Sequence, residues 1–206
     1  MKFIKEQPEK LFEREINPHI IAIVTTTFYP KWSVKKEFTP DHVRGDLAIG
    51  TLEIAKSKGY QMVIIDGGSS DAFIEQLRQK GIVPNNEKVK GMSAGRQQGF
   101  EEASKFEGVK VICWTEPEKI FIVNDCLPEA VRPILDGRAD IVVPKRDSEA
   151  WKTYPQYQAE LEQHANKLWN AILKKRGFLS NEAEDLDVWF GPKFFKNDPE
   201  LVKIFL

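Results

Sequence analysis

The sequence is poor in cysteine, with only Cys113 and Cys126 among its 206 residues. Two cysteines at these positions provide neither a disulfide framework nor the Cys-x-x-Cys spacing of a zinc site. Cys113 lies inside an apolar run, where cysteine behaves as a small hydrophobic residue, so we expect a buried, reduced thiol. The cysteines therefore indicate a reducing environment rather than a disulfide-stabilised domain.

The sequence also lacks long hydrophobic segments and an excess of charge of one sign. No apolar run approaches the roughly 18 residues that a membrane-spanning helix needs, and the charged N-terminus does not resemble a signal peptide. The 30 basic and 31 acidic residues give a formal net charge of −1, which argues against broad electrostatic attraction to nucleic acid or anionic membranes. We expect a cytoplasmic protein with no membrane span and no nucleic-acid partner.

What the sequence does contain is an alternation of short β-branched runs with longer segments of helical periodicity. This alternation predicts an α/β fold with a mostly parallel central sheet and helices on both faces. The length favours a single domain over residues 1–206. Strands are predicted at residues 19–27, 60–66, 109–114 and 139–144. Helices are predicted at residues 46–58, 71–80, 93–106, 127–137 and 155–175.

The longest predicted helix, at residues 155–175, has an apolar stripe at helical spacing. We expect Trp169 in this helix to be a core residue rather than a ligand contact. The C-terminal run "PELVKIFL" has no polar tail, which predicts either a last helix that packs against the core or a protein that continues past this sequence. The apolar stripe consists of Tyr157, Leu161, Ala165, Leu168 and Ile172.

Ligands of parallel sheets bind outside the carboxyl ends of the strands, so the residues that follow each strand are the site candidates. After the first strand, Thr25 and Thr26 can hydrogen-bond a polar ligand edge, and Phe28 and Tyr29 can lie against a base. An ordinary strand-end turn explains the same residues. The second strand ends in Asp66 before two glycines, which let the backbone pass close to a ligand. Its carboxylate either accepts from a nucleobase or ribose or simply forms the turn.

The next two candidate sites along the sequence carry charged side chains. Arg96 lies in the first turn of a predicted helix, where a guanidinium suits a phosphate group; a surface arginine is the alternative. Glu116 and Glu118 follow the third long strand, and two unit charges about 4 Å apart near a protein surface repel by about 4 kcal/mol. A shared divalent cation would relieve that repulsion. A solvated loop, partly neutralised by Lys119, explains the same pair.

Taken in order, these motifs resemble the nucleotide-sugar-binding half of family 2 glycosyltransferases, which have the GT-A fold. The family typically shows a Pro-Thr-Tyr-Asn-like turn, then Asp-Asp-Gly-Ser-x-Asp, then Ala-Arg-Asn-x-Gly, then Asp-x-Asp. The corresponding stretches here are "TTTFYP", "IDGGSSD", "AGRQQG" and "EPE". This sequence departs from the family in Gly67 for the second Asp, Gln97 for Asn, and Glu in both positions of the last motif. The resemblance covers roughly residues 20–146.

The resemblance implies a GT-A glycosyltransferase that moves a sugar from a nucleoside-diphosphate sugar, UDP- or GDP-linked, to an unknown hydroxyl acceptor. It implies a nucleotide-sugar-binding part over about residues 18–147 and an acceptor-side part over about residues 148–206. Arg96 would contact the phosphates or the ribose region. The nucleoside would be held by Thr25, Thr26, Phe28, Tyr29 and Asp66.

The same resemblance implies a metal site at the acidic pair. Glu116 and Glu118 would bind Mn²⁺ or Mg²⁺ against the diphosphate, with Glu118 in direct contact. Such an ion orients the diphosphate and takes up the charge that develops on the leaving group. We expect Asp66, Arg96 and the acidic pair to converge on one diphosphate-sized hollow.

The stretch "NEAEDLDVWFGPKFFKND" resembles the acceptor-side passage of the family. A general base must reach the acceptor hydroxyl with a suitable pKa, and the resemblance makes Asp187 and Asp185 the candidates, with Glu184 behind them. A solvated acidic loop explains these residues as well. Trp189 and Gly191 are expected to line the acceptor pocket, where the indole can stack on a sugar.

Other functions remain open at this point. A GT-A-like module that binds a nucleotide sugar without turnover accommodates the Glu-Pro-Glu replacement. A nucleotidyltransferase uses a related fold, but the glycine-rich basic loop expected after its first strand is missing from "TTTFYPKW". A methyltransferase would explain an acidic residue after "VII", yet it too needs a glycine-rich loop after the first strand.

Overall fold

The computed structural model describes residues 16–35 and 38–206. Its centre is a six-stranded sheet with the order β3-β2-β1-β4-β6-β5. Strands β1 to β4 are parallel, whereas β6 runs antiparallel to both β4 and β5. The strands are β1 (Ile21–Thr27), β2 (Gln61–Asp66), β3 (Asn85–Asn86), β4 (Val111–Trp114), β5 (Ile141–Val142) and β6 (Lys193–Lys196).

Seven α-helices are formed by the described residues. A 3₁₀ turn, Pro18–Ile20, precedes β1, and a π-helical turn, Ile122–Cys126, runs directly into the fourth helix. The helices are α1 (Pro40–Ser57), α2 (Asp71–Gln79), α3 (Met92–Ser104), α4 (Leu127–Leu135), α5 (Ser148–Lys152), α6 (Gln156–Lys175) and α7 (Pro199–Phe205).

Alternate residues of β1 face two different cores, because successive side chains of a strand point to opposite faces. Ile21 and Ile23 pack in a core with α4, while Ala22 and Val24 pack in a core with α3 and α7. A third core lies between β2 and the helices α1 and α2. The predicted α/β fold, mostly parallel with helices on both faces, is therefore confirmed. Cys113 is buried and free, as expected.

Helix α3 approaches the sheet closely, and glycine makes this possible. A Cβ atom built at Gly99 would overlap a methyl group of Val24 in β1, and one at Gly95 would lie 3.4 Å from Thr26. These are the two glycines of the "AGRQQG" stretch. Their packing places the first turn of α3 directly beside the carboxyl ends of β1 and β2.

Two boundaries and three elements differ from the sequence predictions, and one of these elements is the two-residue strand β3. Helix α1 begins at Pro40, six residues before the predicted start at Asp46, because Thr39 caps it by accepting from the His42 amide at 3.2 Å. Only Ile141–Val142 of the strand predicted at residues 139–144 pairs with a neighbour. The short elements α5 and β6 were not predicted, since five and four residues are too few for a periodic pattern.

The apolar stripe predicted on α6 does not face the core. Tyr157, Leu161, Leu168 and Trp169 are all exposed, so the assignment of Trp169 to the core is wrong. The reason is a competing polar stripe at Glu162, Asn166 and Asn170, spaced four residues apart. Asn166 and Asn170 donate to the loop before β6, and Glu162 accepts from Arg146 in the segment after β5. Buried polar groups must keep their partners, and this stripe therefore sets the orientation of the helix.

The last helix packs against the sheet. Val202 of α7 is buried, and the Phe205 ring stacks on Phe195 of β6 with 4.4 Å between centroids. This matches the first of the two expectations for "PELVKIFL". No helix within the described part of the chain is long and apolar enough to cross a bilayer.

The contact between α3 and the sheet predicts a large difference between two glycine-to-alanine changes. Gly99→Ala should lower the free energy of unfolding by about 1–3 kcal/mol, because the new methyl group overpacks against Val24. Gly50→Ala in α1 is the matched control: its nearest neighbour is 3.9 Å away, so helix propensity should make it neutral or stabilising by up to about 1 kcal/mol. Urea denaturation measures the free energy of unfolding of both variants, and equal values would contradict the close packing of Gly99 against Val24.

Candidate functional site

Two cavities open where β1, β2 and β4 end at the carboxyl edge of the sheet. The smaller, of about 520 Å³, lies beyond β1 and β2, and the larger, of about 770 Å³, lies beyond β4 and beside the start of β6. The first turns of α3 line both, with Met92 and Gly95 on the smaller and Ser93 and Arg96 on the larger. The predicted candidates are thus divided between two cavities that share a wall, which corrects the expectation of a single hollow.

The smaller cavity has an exposed aromatic ring at its entrance. Phe28 is 61% exposed and lies against the turn at Gly67, within 3.6 Å of a Cβ built there. Thr26 and Tyr29 also line this cavity, as expected of a nucleoside site. Thr25 does not: it is buried, and its hydroxyl has no hydrogen-bond partner among the described residues.

Asp66 is used to build the turn that follows β2. One carboxylate oxygen accepts from the Thr27 hydroxyl at 2.7 Å, and the other accepts from the Gly68 and Ser69 amides at 2.9 and 3.0 Å. The side chain is buried and is absent from the lining of both cavities described above. Of the two interpretations of Asp66, this geometry favours the turn, which places Gly67 in the cavity wall.

Glu118 is held by two neighbours that the sequence pattern did not reveal. Its Oε1 accepts from the Arg44 guanidinium, at 2.8 Å from Nε and 2.6 Å from Nη2, and from the Tyr29 hydroxyl at 2.8 Å. Burial, and then the nearby Glu118 charge, raise the pKa of Tyr29, so its hydroxyl keeps its proton and donates. Arg44 lies in α1, 74 residues from Glu118, and no local pattern could have linked them.

Glu116 points the other way, into the larger cavity. Its Oε2 is buried and has no hydrogen-bond partner among the described residues. A Cβ atom built at Gly191 would overlap this carboxylate, so the absence of a side chain at Gly191 makes room for Glu116. The predicted acceptor-pocket residues Gly191 and Trp189 both line the larger cavity.

Two cations face the same cavity as Glu116. The Arg96 guanidinium lies 4.5 Å from the ring centroid of Trp114, and its Nε is a buried donor without a partner in the described part of the chain. Lys193, in β6, is the second cation; burial lowers its pKa to about 8, against the opposing effect of Glu116. Because β6 was not predicted, the sequence analysis missed Lys193.

The larger cavity is flanked by two indole rings. Trp169 from α6 is 48% exposed and Trp189 is 53% exposed, and both line it. Exposed tryptophans beside an unpaired acceptor and cations can stack on an apolar sugar face while hydroxyls bond the polar groups. This cavity is therefore suited to a polar, hydroxylated and partly anionic ligand.

Asp187 is occupied by a buried ion pair. Its two oxygens accept from Arg146 Nε at 2.7 Å, from Arg146 Nη2 at 2.8 Å, from the Arg146 amide at 3.1 Å and from Asn166 at 2.6 Å. Burial raises the pKa of Asp187, but these hydrogen bonds outweigh it and leave the pKa below its ordinary value. A proton acceptor needs a free lone pair and a suitable pKa, so this geometry does not support Asp187 as the base.

The neighbouring carboxylates are paired as well. Asp185 bonds Lys174 at 2.7 Å and Glu184 bonds Lys145 at 2.5 Å, both at exposed positions. Neither Asp185 nor Asp187 lines the larger cavity; both lie on a separate depression beside α6. These ion pairs therefore hold the loop before β6 in place, and a role in proton transfer stays a prediction for Asp185 and Asp187.

The residues present do not fit the metal site that the Asp-x-Asp resemblance implies. Hard divalent ions need several oxygen ligands with free lone pairs. Within the described residues no three His, Cys, Asp or Glu side chains come together as possible ligands. Glu118 Oε1 carries the Arg44 cation, and Glu116 lies toward a different cavity. The expectation of a direct metal contact through Glu118 is thus not supported.

The sequence matches Glycosyl transferase family 2 over residues 50–199. The chain belongs to this family. The match includes the turn after β2, the "AGRQQG" helix, the Glu-Pro-Glu stretch and the start of β6, but not the end of β1 or Arg44, which line the smaller cavity. A comparison with curated proteins gives no match.

Solved structures of glucosyl-3-phosphoglycerate synthase from Mycobacterium tuberculosis have the same GT-A fold. One, in complex with Mn²⁺, UDP and glucosyl-3-phosphoglycerate, has a TM-score of 0.54 at 11% identity, covering 87% of this chain and 57% of that one. Another, with Mn²⁺ and UDP-glucose, has a TM-score of 0.54 at 12% identity, covering 87% and 56%. This chain thus spans little more than half the length of those proteins.

The buried ion pair predicts a strong contrast between two aspartates two residues apart. Asp187→Asn should lower the free energy of unfolding by about 3–5 kcal/mol at neutral pH, because it leaves the buried Arg146 without its main partner. Asp185→Asn, in an exposed pair, should cost less than about 1 kcal/mol. Chemical denaturation measures both.

The difference in stability between wild type and Asp187→Asn should depend on pH in a predictable direction. A carboxyl with a lowered folded pKa contributes stability above its ordinary pKa of 3.8, and loses that contribution as the pH falls below it. The gap between wild type and Asp187→Asn should therefore shrink below about pH 4. A gap that is constant down to pH 3, or small at pH 7, would show that the pair is not stabilising.

Proposed function

We propose that this chain binds a nucleoside-diphosphate sugar, UDP- or GDP-linked, and transfers the sugar to a hydroxyl acceptor. The proposal rests on the position of the two cavities. They lie side by side at the carboxyl edge of the sheet, in a chain that belongs to Glycosyl transferase family 2. The UDP and UDP-glucose in the solved structures of similar fold support this class of donor.

In this proposal the nucleoside occupies the smaller cavity. Phe28 offers an exposed ring for a base to stack on, and the Gly67 turn leaves space beside it. Thr26 is positioned to bond a polar edge, and Lys90 adds a positive charge at the rim. Asp66 supports this site indirectly, through the turn that it holds.

The diphosphate would cross the first turn of α3, which separates the two cavities. That helix has no side-chain cap from the described residues at its N-terminus, so its amides and dipole are available to an anion. Arg96 can turn its unpaired Nε toward the phosphates, and Lys193 adds charge from the opposite wall. These groups would also stabilise the negative charge on the departing diphosphate.

The sugar and its acceptor would share the larger cavity. Trp189 and Trp169 provide stacking surfaces, and the unpaired oxygen of Glu116 can accept from a hydroxyl. In the transfer, the bond from the anomeric carbon to the diphosphate breaks, a bond to the acceptor oxygen forms, and the acceptor proton leaves to a base. For Asp187 or Asp185 to be that base, its present ion pair must first open.

Because those carboxylates are already in ion pairs, a second candidate function is favoured, that of a module that binds the nucleotide sugar without transferring the sugar. Each of Asp185, Asp187 and Glu184 is paired with a cation. Both candidates predict the same donor site. They differ in turnover, which a binding measurement alone does not detect.

Calorimetric titration with UDP, GDP, CDP and ADP tests the donor site. At least one should bind, and Phe28→Ala should weaken that binding by about 1–3 kcal/mol, as loss of a base–aromatic stack does. Phe178→Ala is the matched control, since Phe178 is 75% exposed and lines neither cavity. Binding unchanged in Phe28→Ala, or no binding of any nucleotide, would refute the placement.

Release of UDP or GDP from the corresponding nucleotide sugar separates the two candidates. A transferase should release the nucleotide slowly to water and faster once a hydroxyl acceptor is supplied. Binding without any release, with a panel of sugar and small polyol acceptors, would establish the non-catalytic module instead.

The lowered pKa of Lys193 predicts how nucleotide affinity depends on pH. Because Lys193 is protonated below its pKa of about 8 and neutral above it, affinity for the bound nucleoside diphosphate should fall several-fold as the pH rises from 7 to 9. Lys193→Met should bind more weakly at pH 7 and lose this dependence. Lys196→Met, at an exposed position in the same strand, should keep it; an unchanged profile in Lys193→Met would exclude Lys193 from the phosphate site.

A further inference from the structure

We propose that Arg44, anchored on Glu118, brings to the diphosphate the positive charge that a divalent ion would otherwise supply, so that nucleoside diphosphates bind this chain without metal. This inference rests on the proposed donor site and names how that site neutralises its ligand. It follows from the misfit between the Glu-Pro-Glu stretch and a two-carboxylate metal site.

The first argument is the occupancy of Glu118. Its Oε1 accepts three hydrogen bonds, two from Arg44 at 2.6 and 2.8 Å and one from Tyr29 at 2.8 Å. The Glu118 side chain is largely buried, and the pairing joins α1 to the loop after β4. A metal ion at this oxygen would have to displace a guanidinium and strand a buried hydroxyl donor, which costs free energy.

The second argument is the position of the Arg44 guanidinium. The side chain is 60% exposed and lines the smaller cavity together with Phe28 and Lys90. A guanidinium has five N–H donors in a planar fork, and Glu118 accepts from only two of its nitrogens. The remaining N–H groups are free to bond phosphate oxygens, for which this geometry is well suited.

The third argument is the balance of charge around both cavities. Four cations surround the two cavities against three carboxylates, which leaves one net positive charge. The cations are Arg44, Lys90, Arg96 and Lys193, and the carboxylates are Glu87, Glu116 and Glu118. The protein side of the site is therefore already positive in the absence of any ion. Without Arg44 the two signs would balance, and the site would have no net attraction for a diphosphate until a cation bound.

Tyr29 contacts both members of the Arg44–Glu118 ion pair. Its hydroxyl shares Glu118 Oε1 with Arg44, and the guanidinium lies 5.7 Å from the Tyr29 ring centroid. The same residue lines the cavity proposed for the nucleoside. One side chain thereby contacts both the anchoring carboxylate and the cation, beside the proposed nucleoside site.

Calorimetric titration of the full chain with UDP and GDP, in EDTA and in Mn²⁺, tests the inference. For the nucleotide that binds, the wild-type Kd should agree within about twofold in the two conditions. Arg44→Ala should weaken binding about tenfold in EDTA, the loss expected for one charged hydrogen-bonding group. Mn²⁺ should then restore part of the affinity, because Glu118 has been freed to bind it.

Two further variants make the result specific. Arg44→Lys keeps the charge but not the fork, so it should bind in EDTA with an affinity between those of wild type and Arg44→Ala. Arg138→Ala removes another exposed arginine, which pairs with Asp136 and lines neither cavity, and it should bind like wild type. Thermal unfolding of each variant confirms that the fold is kept.

The outcomes separate this inference from the proposed function. Wild-type binding that weakens more than tenfold in EDTA, or Arg44→Ala binding as tightly as wild type in EDTA, would overturn the role of Arg44 and leave the donor site intact. Failure of both nucleotides to bind in either condition would overturn the donor site and, with it, this inference.

Discussion

The loop before β6, which carries Trp189, depends on one buried ion pair, between Arg146 and Asp187. Both side chains are 3% exposed, and Arg146 also packs over the Trp151 ring at 3.7 Å. Burying two charges is costly unless every hydrogen bond is made, and here Asn166 completes the set. The pair joins the segment after β5, helix α6 and the loop that carries Trp189, so the larger cavity keeps its shape only while the pair is intact.

The wall of the larger cavity follows a different physical rule, in which charged groups are left without hydrogen-bond partners among the described residues. Arg96 has an unpaired donor and Glu116 an unpaired acceptor, both in the wall of the larger cavity. Unsatisfied buried polar atoms are costly in a folded protein, and a ligand that bonds both would recover that cost. Asp66 and Asp187, whose oxygens are fully hydrogen-bonded, therefore stabilise the fold, whereas Arg96 and Glu116 keep hydrogen-bonding capacity that the described residues do not use.

The fold was predictable because its evidence is local. Runs of β-branched residues and helical spacing lie within ten to twenty residues, and the helices predicted at residues 71–80 and 127–137 were found at Asp71–Gln79 and Leu127–Leu135. The errors occurred where tertiary contacts overrode local pattern. Helix α6 turns its apolar stripe outward because the polar stripe through Asn170 bonds the distant loop at Leu186, and β6 exists only because β4 and β5 pair with it.

By itself, the sequence determined the longer strands and helices and their order, the mostly parallel sheet, and which of these segments reach its carboxyl edge. It also placed Phe28, Arg96, Glu116, Trp189 and Gly191 among the residues that line the cavities. Only the tertiary structure decided the partner of each charge: Arg44 for Glu118, Arg146 for Asp187 and Lys193 beside Glu116. The reason is that a carboxylate looks the same in sequence whether it is free or paired, and its partner arrives from a segment dozens of residues away.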